Sequence, residues 1–278
     1  MTKKRITVFK IFQVVLVIIF ILVSLFPFYF STLNSFRYIR RTPDLDWAPN
    51  NLTMKNWEEA FTPGSLIPRW LFNSVVVSLA ITILSICFDT LAGYAFARKK
   101  FPGSKFIFYS IIFCLTIPMA VQIIPIYSMI AKLKLLNTYL ALILPAATAM
   151  GVFIMRQTIS SIPVNLDESA KLDGCSEFGI LWRIIIPLIK PALASVFLIN
   201  FVTQWNWLIY PLIVTNKDAM RTMTVALYVV GSTSAGALTP PPWGTIMVLI
   251  TIMFIPVFIL FLIFQQYFTK GITMTGFK

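Results

Sequence analysis

Long runs without a charged residue alternate along this chain with short clusters of cations. The charge-free runs cover residues 11–36, 70–88, 106–131, 135–155, 191–216 and 222–269. A helix rises 1.5 Å per residue and needs about 20 apolar residues to cross a bilayer core. Each of the first five runs is long enough for one spanning helix, the second continuing past Asp89 to Arg98. The sixth is too long for one span, and Gly231, Gly236, Pro240, Pro241 and Pro242 break it. This leaves Thr222–Val230 as a re-entrant or surface helix and Trp243–Phe268 as a span with an aromatic residue at each end. The pattern predicts an all-α integral membrane protein, one domain over 1–278, with six transmembrane helices near 11–36, 70–97, 106–131, 137–156, 186–213 and 243–268.

Composition agrees with a chain solvated by lipid. Hydrophobic residues make up 58% and charged residues 12%, against about 25% charged in a soluble domain. The apolar run after Lys3, Lys4, Arg5 and Lys10 is too long for a signal-peptide core, which predicts a retained first helix. Six spans put both termini on one side. With the N-terminus cytoplasmic, 14 of the 23 Lys and Arg fall on inside segments and 9 outside, the sign the positive-inside rule requires. The net charge of +13 is therefore read as an anchor beside anionic lipid, with no nucleic acid as partner.

The sequence lacks the means of catalysis. It has no histidine, which removes His-based acid–base catalysis, His metal sites and Ser–His triads. Cys87, Cys114 and Cys175 share no metal-ligand or redox spacing, and no GxxxxGK[ST] phosphate loop occurs. No catalytic residue, metal site or bound cofactor is expected, and the chain is not read as an enzyme.

One loop, residues 160–185, differs from the rest. It carries Asp167, Glu168, Asp173 and Glu177, four of the ten acids. A short helix is expected from about Asn165 to Asp173, with acids at the positive end of its dipole and Gly174 closing it in the left-handed conformation. Ser176 is placed to cap a second helix, with Phe178, Leu181 and Trp182 on an apolar face. Pro187 opens the next span. Ser169 and Ala170 are small enough for another protein to approach the backbone closely. The residues alone fit equally an ordinary interfacial helix.

The string Glu168-Ser-Ala-Lys-Leu-Asp-Gly174, followed by Ile186-Pro187, resembles the EAA motif of ABC importer permeases. That pattern reads Glu-Ala-Ala, three residues, Gly, nine residues, then Ile-x-Leu-Pro. Here Ser169 replaces the first Ala and Ile186 the Leu. Leu52-Thr-Met-Lys-Asn-Trp57, Phe72-Asn-Ser74, Tyr94-Ala-Phe-Ala-Arg98, Trp205-Asn-Trp-Leu-Ile-Tyr-Pro211 and Gln265-Gln-Tyr-Phe-Thr-Lys-Gly-Ile272 are similar to the carbohydrate-uptake branch. The resemblance covers nearly the whole chain and is to the maltose-permease-like second permease. It implies the type I importer permease fold and a place in a prokaryotic inner or cytoplasmic membrane. It also implies a second permease, two ATPases that bind ATP and Mg, and an extracytoplasmic solute-binding protein as partners. The loop helix becomes a coupling helix docking on an ATPase through Asn165, Asp167, Glu168, Ser169, Ala170, Leu172, Asp173 and Gly174. Glu168 is the implied polar contact, Ala170 the close-packed face and Gly174 the turn that sets the helix. An ion-coupled secondary transporter is the alternative, and it would require several intramembrane charges.

Asp89 is the single carboxylate within a span, about 13 Å along a helix from Arg98. It is read as a structural hydrogen-bonding group, with a proton relay as the second reading. In the fifth span Asn200, Thr203, Gln204 and Trp207 share a helical face by i, i+3, i+4 and i+7 spacing. Amides bond hydroxyls and an indole stacks on a sugar face, so the stripe suits a carbohydrate path. Interhelical hydrogen bonding accounts for the amides equally well. Pro118, Pro125 and Pro145 interrupt the third and fourth spans.

Overall fold

The structure, a computed structural model, describes residues 2–39, 45–145, 149–232 and 242–274. The helices are α1 (Thr2–Ser35), α2 (Lys55–Phe61), α3 (Ile67–Arg98), α4 (Ser104–Cys114), α5 (Met119–Lys132), α6 (Tyr139–Ile143), α7 (Ala149–Ser160), α8 (Asn165–Leu172), α9 (Glu177–Ile180), α10 (Ile186–Leu188), α11 (Lys190–Trp205), α12 (Ile209–Val214), α13 (Met223–Ser232) and α14 (Trp243–Met274). A π-helical turn, Leu181–Ile185, joins α9 to α10. Among the described residues no β-strand forms, and one antiparallel bridge joins Arg37 to Leu52. The all-helical reading therefore holds.

Three helices are long and apolar enough to cross a membrane: Lys10–Ser35, Ile67–Arg98 and Trp243–Tyr267. Two further candidates are bent, α4 with α5 by 102° and Glu177–Leu188 with Lys190–Trp205 by 79°, giving up to five if each pair is one span. The expected third span thus divides between α4 and α5, with Pro118 at the start of α5. Lacking an N–H and fixed in φ, proline starts a helix readily and is costly in a helix interior. The expected fourth span comprises α6 and α7 on either side of residues 146–148, which lie outside the described set. The segment expected at Thr222–Val230 forms α13, while Gly236, Pro240 and Pro241 lie outside the described residues.

The chain separates into two compact units. The first holds residues 1–68 and 226–256. In α1 the apolar side chains from Ile11 to Phe26 are exposed, as lipid-facing residues would be. The end of α1 leaves carbonyls without helical partners, and α2 supplies the donors. Asn56 Nδ2 donates to the carbonyls of Ser35 at 3.1 Å and Arg37 at 2.6 Å. Trp57 Nε1 donates to Ser35 Oγ at 3.1 Å, its ring stacked on Phe36. A Cβ at Gly244 would lie 2.5 Å from Asn56 Oδ1, so α14 begins against this clamp. Asn56→Ala should leave two carbonyls unsatisfied and cost about 2 kcal/mol. A melting temperature in detergent equal to wild type would refute the clamp.

The second unit, residues 69–225 and 257–278, has two hydrophobic clusters. One gathers Tyr94, Met155, Ile159, Ala170, Ile180, Leu181, Ile185, Ile189 and Val196. The other gathers Val77, Ile81, Ile130, Ala141, Leu142, Tyr210 and Val214. Gly93 lets α3 and α7 touch, since a Cβ there would sit 2.6 Å from Met155 Cβ and 2.8 Å from Arg156 N. At the other end of α3, Asn73 Nδ2 donates to the carbonyls of Ala219 and Arg221, both at 2.9 Å, and its Oδ1 accepts from Tyr139 at 2.6 Å. Ser74 Oγ accepts from Met223 N at 2.7 Å. Phe72-Asn-Ser74 therefore works as a fastener for the turn before α13.

Candidate functional site

The loop helix forms where its local signals place it. Asp167 and Glu168 occupy the first turn of α8. At its end Gly174 adopts φ +80°, donating to Lys171 O at 3.0 Å, while Cys175 N donates to Ala170 O at 2.9 Å. This pair of bonds is a Schellman motif, and it uses two carbonyls the helix end would otherwise leave open. Ser176 Oγ then accepts from Gly179 N at 3.2 Å to start α9.

The faces of α8 are unlike. Glu168, Ser169 and Asp173 are exposed, and Leu172 is 89% exposed. It is the most open of several apolar side chains here, with Leu166 on the same helix 43% exposed. Asp167 and Ala170 are each 5% exposed, which corrects the expectation that both lie on a docking face. Ala170 packs in the cluster with Tyr94, Met155, Ile159 and Ile180. Its close-packed face is toward this chain's own helices. The second helix is corrected too: Leu181 is buried beside Ile180 and Ile185, whereas Phe178 and Trp182 are exposed. Leu181 and Trp182 are adjacent and so point about 100° apart, which puts Leu181 inward and Trp182 outward.

Asp167 turns inward to meet Arg98 at the last turn of α3. Arg98 Nε lies 2.7 Å from Asp167 Oδ2, the side chains 6% and 7% exposed, and Arg98 Nη2 donates to Ile162 O at 2.8 Å. The Nε contact is an ion pair rather than an aligned hydrogen bond, since the Nε–H has no acceptor in line. Lys99 pairs with Glu177 at the start of α9. Arg98 at the end of α3 and Lys99 just after it thus hold the loop before α8, α8 itself and α9. No sequence pattern announces this pairing between residues so far apart in the chain. Its one signal is an Arg closing a motif and an Asp opening a helix.

The amide stripe is only partly realised. Asn200, Thr203 and Gln204 lie on α11, but α11 stops at Trp205. Trp207 falls in the break before α12, where its ring stacks on Tyr210 at 4.7 Å and packs on the second cluster. Asn206 ends α11, and its side-chain Nδ2 donates back to Val202 O at 2.9 Å. Thr203 Oγ1 donates to its own helix at Ile199 O, 2.8 Å away. Asn200 Nδ2 and Gln204 Oε1 are buried without hydrogen-bond partners. Asp89 is fully buried in α3, in register with Ser78, Thr82 and Ser85, each at most 1% exposed. Sequence reasoning singles out Asp89 and misses the rest of that polar stripe, although its i, i+4, i+7 spacing is a helical signal.

Residues 89–274, which hold α8 and the helices that grip it, match the family described as "Binding-protein-dependent transport system inner membrane component". The chain belongs to that family. It is a permease, the membrane-spanning subunit of a transport system, and not an enzyme. It is 35% identical over 263 residues to an arabinooligosaccharides transport system permease protein of Halalkalibacterium halodurans, covering 92% of each chain. It is 32% identical over 272 residues to an sn-glycerol-3-phosphate transport system permease protein of Rhizobium meliloti, covering 94% of each. In structure the permease is similar to a chain of a bacterial ABC transporter involved in the import of alginate, with TM-score 0.82 at 23% identity over 96% of this chain and 99% of that one. At that identity the likeness concerns the fold.

Proposed function

We propose that this permease forms half of the translocation path of an ATP-driven, binding-protein-dependent importer for a carbohydrate-class solute, and that α8 is the surface an ATPase subunit grips from the cytoplasm. Support for the solute class comes from the similar permeases, named for arabinooligosaccharides and sn-glycerol-3-phosphate. The observation that carries the docking role is the division of α8: Leu172 and Glu168 stand out, while Asp167 and Ala170 tie the helix to α3 and its neighbours. A helix fixed on one face and open on the other transmits a push instead of absorbing it. Docking would take the apolar surface of Leu172 out of water, which favours association. In this reading Glu168 and Leu172 meet the ATPase, joined at the rim by Asn165, Ser169 and Asp173, and Gly174 sets the angle. The partners are a second permease, two ATPases carrying ATP and Mg, and an extracytoplasmic solute-binding protein. Loop 160–185 and both termini lie on the cytoplasmic side of a prokaryotic inner membrane.

Leu172→Cys, in a chain with Cys87, Cys114 and Cys175 replaced by serine or alanine, should cross-link to the ATPase subunit in the assembled transporter. Nucleotide should change the yield. Labelling of the introduced thiol only from outside the cell, or cross-links that never capture an ATPase, would overturn the docking role. Asn200, Thr203 and Gln204 are proposed to line the solute path, where the unmet hydrogen-bonding groups of Asn200 and Gln204 would find sugar hydroxyls. Asp89 is assigned a structural role in the α3 polar stripe, and uptake at fixed ATP that falls with a protonophore would argue for a relay instead.

A further inference from the structure

We infer that the permease carries a binding site for the headgroup of an anionic phospholipid, between the start of α4 and the side chain of Arg156 on α7. A cavity of about 70 Å³ is lined there by Phe96, Ser104, Lys105, Phe108, Tyr109 and Arg156. Two of these are cations, two more carry hydroxyls, and no carboxylate is among them. Neither Lys105 nor Arg156 joins an ion pair among the described residues. The guanidinium of Arg156 lies over the Phe108 ring, 3.9 Å from its centroid, and its Nε is buried without a hydrogen-bond partner. Phe108 fixes one face of the arginine, leaving the edge donors to an incoming anion. The N-terminus of α4 opens at Ser104 beside the same cavity and adds its positive dipole end.

What surrounds the cavity favours a lipid over a free anion. Phe106, Tyr109 and Phe113 stand 78%, 67% and 65% exposed along one side of α4. An apolar aromatic face of this kind suits acyl chains, and it runs from the cationic rim at Lys105. A phosphodiester seated between Lys105 and Arg156 would therefore leave its chains against α4, in the arrangement by which basic pockets between helices hold anionic headgroups. None of the residues lining the site belongs to α8 or α11.

The test uses the full chain purified in detergent and native mass spectrometry with phosphatidylglycerol and phosphatidylcholine of matched acyl chains. Wild type should retain phosphatidylglycerol preferentially. Lys105→Gln and Arg156→Gln should each weaken that preference about fivefold, and the double variant by the product of the two. Lys105 is exposed, so its variant reports on the site even if Arg156→Gln fails to fold. Equal retention of both lipids by wild type, or an undiminished preference in the double variant, would overturn the inference. Release of bound phosphatidylglycerol by millimolar inorganic phosphate would overturn it too, showing a free-anion site. Retention is read without uptake, so failure here leaves the importer reading intact, and loss of uptake leaves this one intact.

Discussion

Arg98→Ala is expected to abolish solute uptake and to destabilise the permease by about 3–5 kcal/mol, the usual cost of leaving a buried charge without its partner. Asp167 has a side chain 7% exposed, and Arg98 is the cation beside it. Removing the guanidinium also strips the donor from Ile162 O. Loss of uptake alone would be ambiguous, because an unstable protein transports nothing. The decisive variant is Arg98→Ala with Asp167→Ala. Deleting both members of a buried pair removes the desolvation cost along with the attraction, so this protein should recover most of its stability. Its α8 would still lack the polar tie to α3, keeping only the packing of Ala170 in the cluster with Tyr94. If the tether carries force, the double variant should assemble with its ATPase and hydrolyse ATP while uptake stays near zero. Near-normal uptake in a stable double variant would show that the pair holds the fold and nothing more.

Such a tether would give motion at a surface helix a route to the bilayer. Tyr94 and Arg98 stand one turn apart on α3, and Ala170 and Asp167 occupy the facing positions of α8, the first of each pair in the cluster and the second in the ion pair. Gly93, beside Tyr94, brings α3 to backbone contact with α7. Tyr94-Ala-Phe-Ala-Arg98 is therefore the site where α7, α8 and α3 meet. A displacement of α8 can reach the spanning helices without passing through a flexible loop.

What was legible beforehand was what local chemistry decides. Gly174 and the acids of the first turn placed both ends of α8, and Ser176 the start of α9, because a left-handed cap and a side-chain cap depend on neighbours in sequence. The broad spans followed from runs of apolar residues. Inside those runs the reading failed wherever backbone chemistry overrode periodicity. The bend between α4 and α5 precedes Pro118, and the break that displaces Trp207 falls at Asn206; the apolar count runs straight through both. The inward turn of Asp167 was beyond sequence. An acid at a helix N-terminus satisfies the dipole whichever way it faces, and only the fold shows Arg98 waiting on its buried side. Leu172 was named for its position in a motif, and its exposure was not legible there.

The second large effect is expected at Gly174, where two nearly isosteric substitutions should behave oppositely. At φ +80° a side chain costs about 1 kcal/mol, and asparagine and aspartate tolerate the region best. No atom lies within 4 Å of the position a Cβ would take, so neither residue clashes within this chain. Backbone strain and bulk are then nearly matched, and the difference left is charge. Asp173 already stands exposed beside the last turn of α8, whose carbonyls form the negative end of the helix dipole. A second carboxylate there opposes both, and like charges brought together at an interface cost several kcal/mol. Gly174→Asn should insert, assemble and retain most uptake, while Gly174→Asp should insert but lose its ATPase and its uptake. Uptake is measured with labelled solute, assembly by co-purification of the ATPase. Equal loss in both variants would mean that the partner's surface leaves no room for any side chain at that turn, and wild-type uptake in Gly174→Asp would remove α8 from the docking surface altogether.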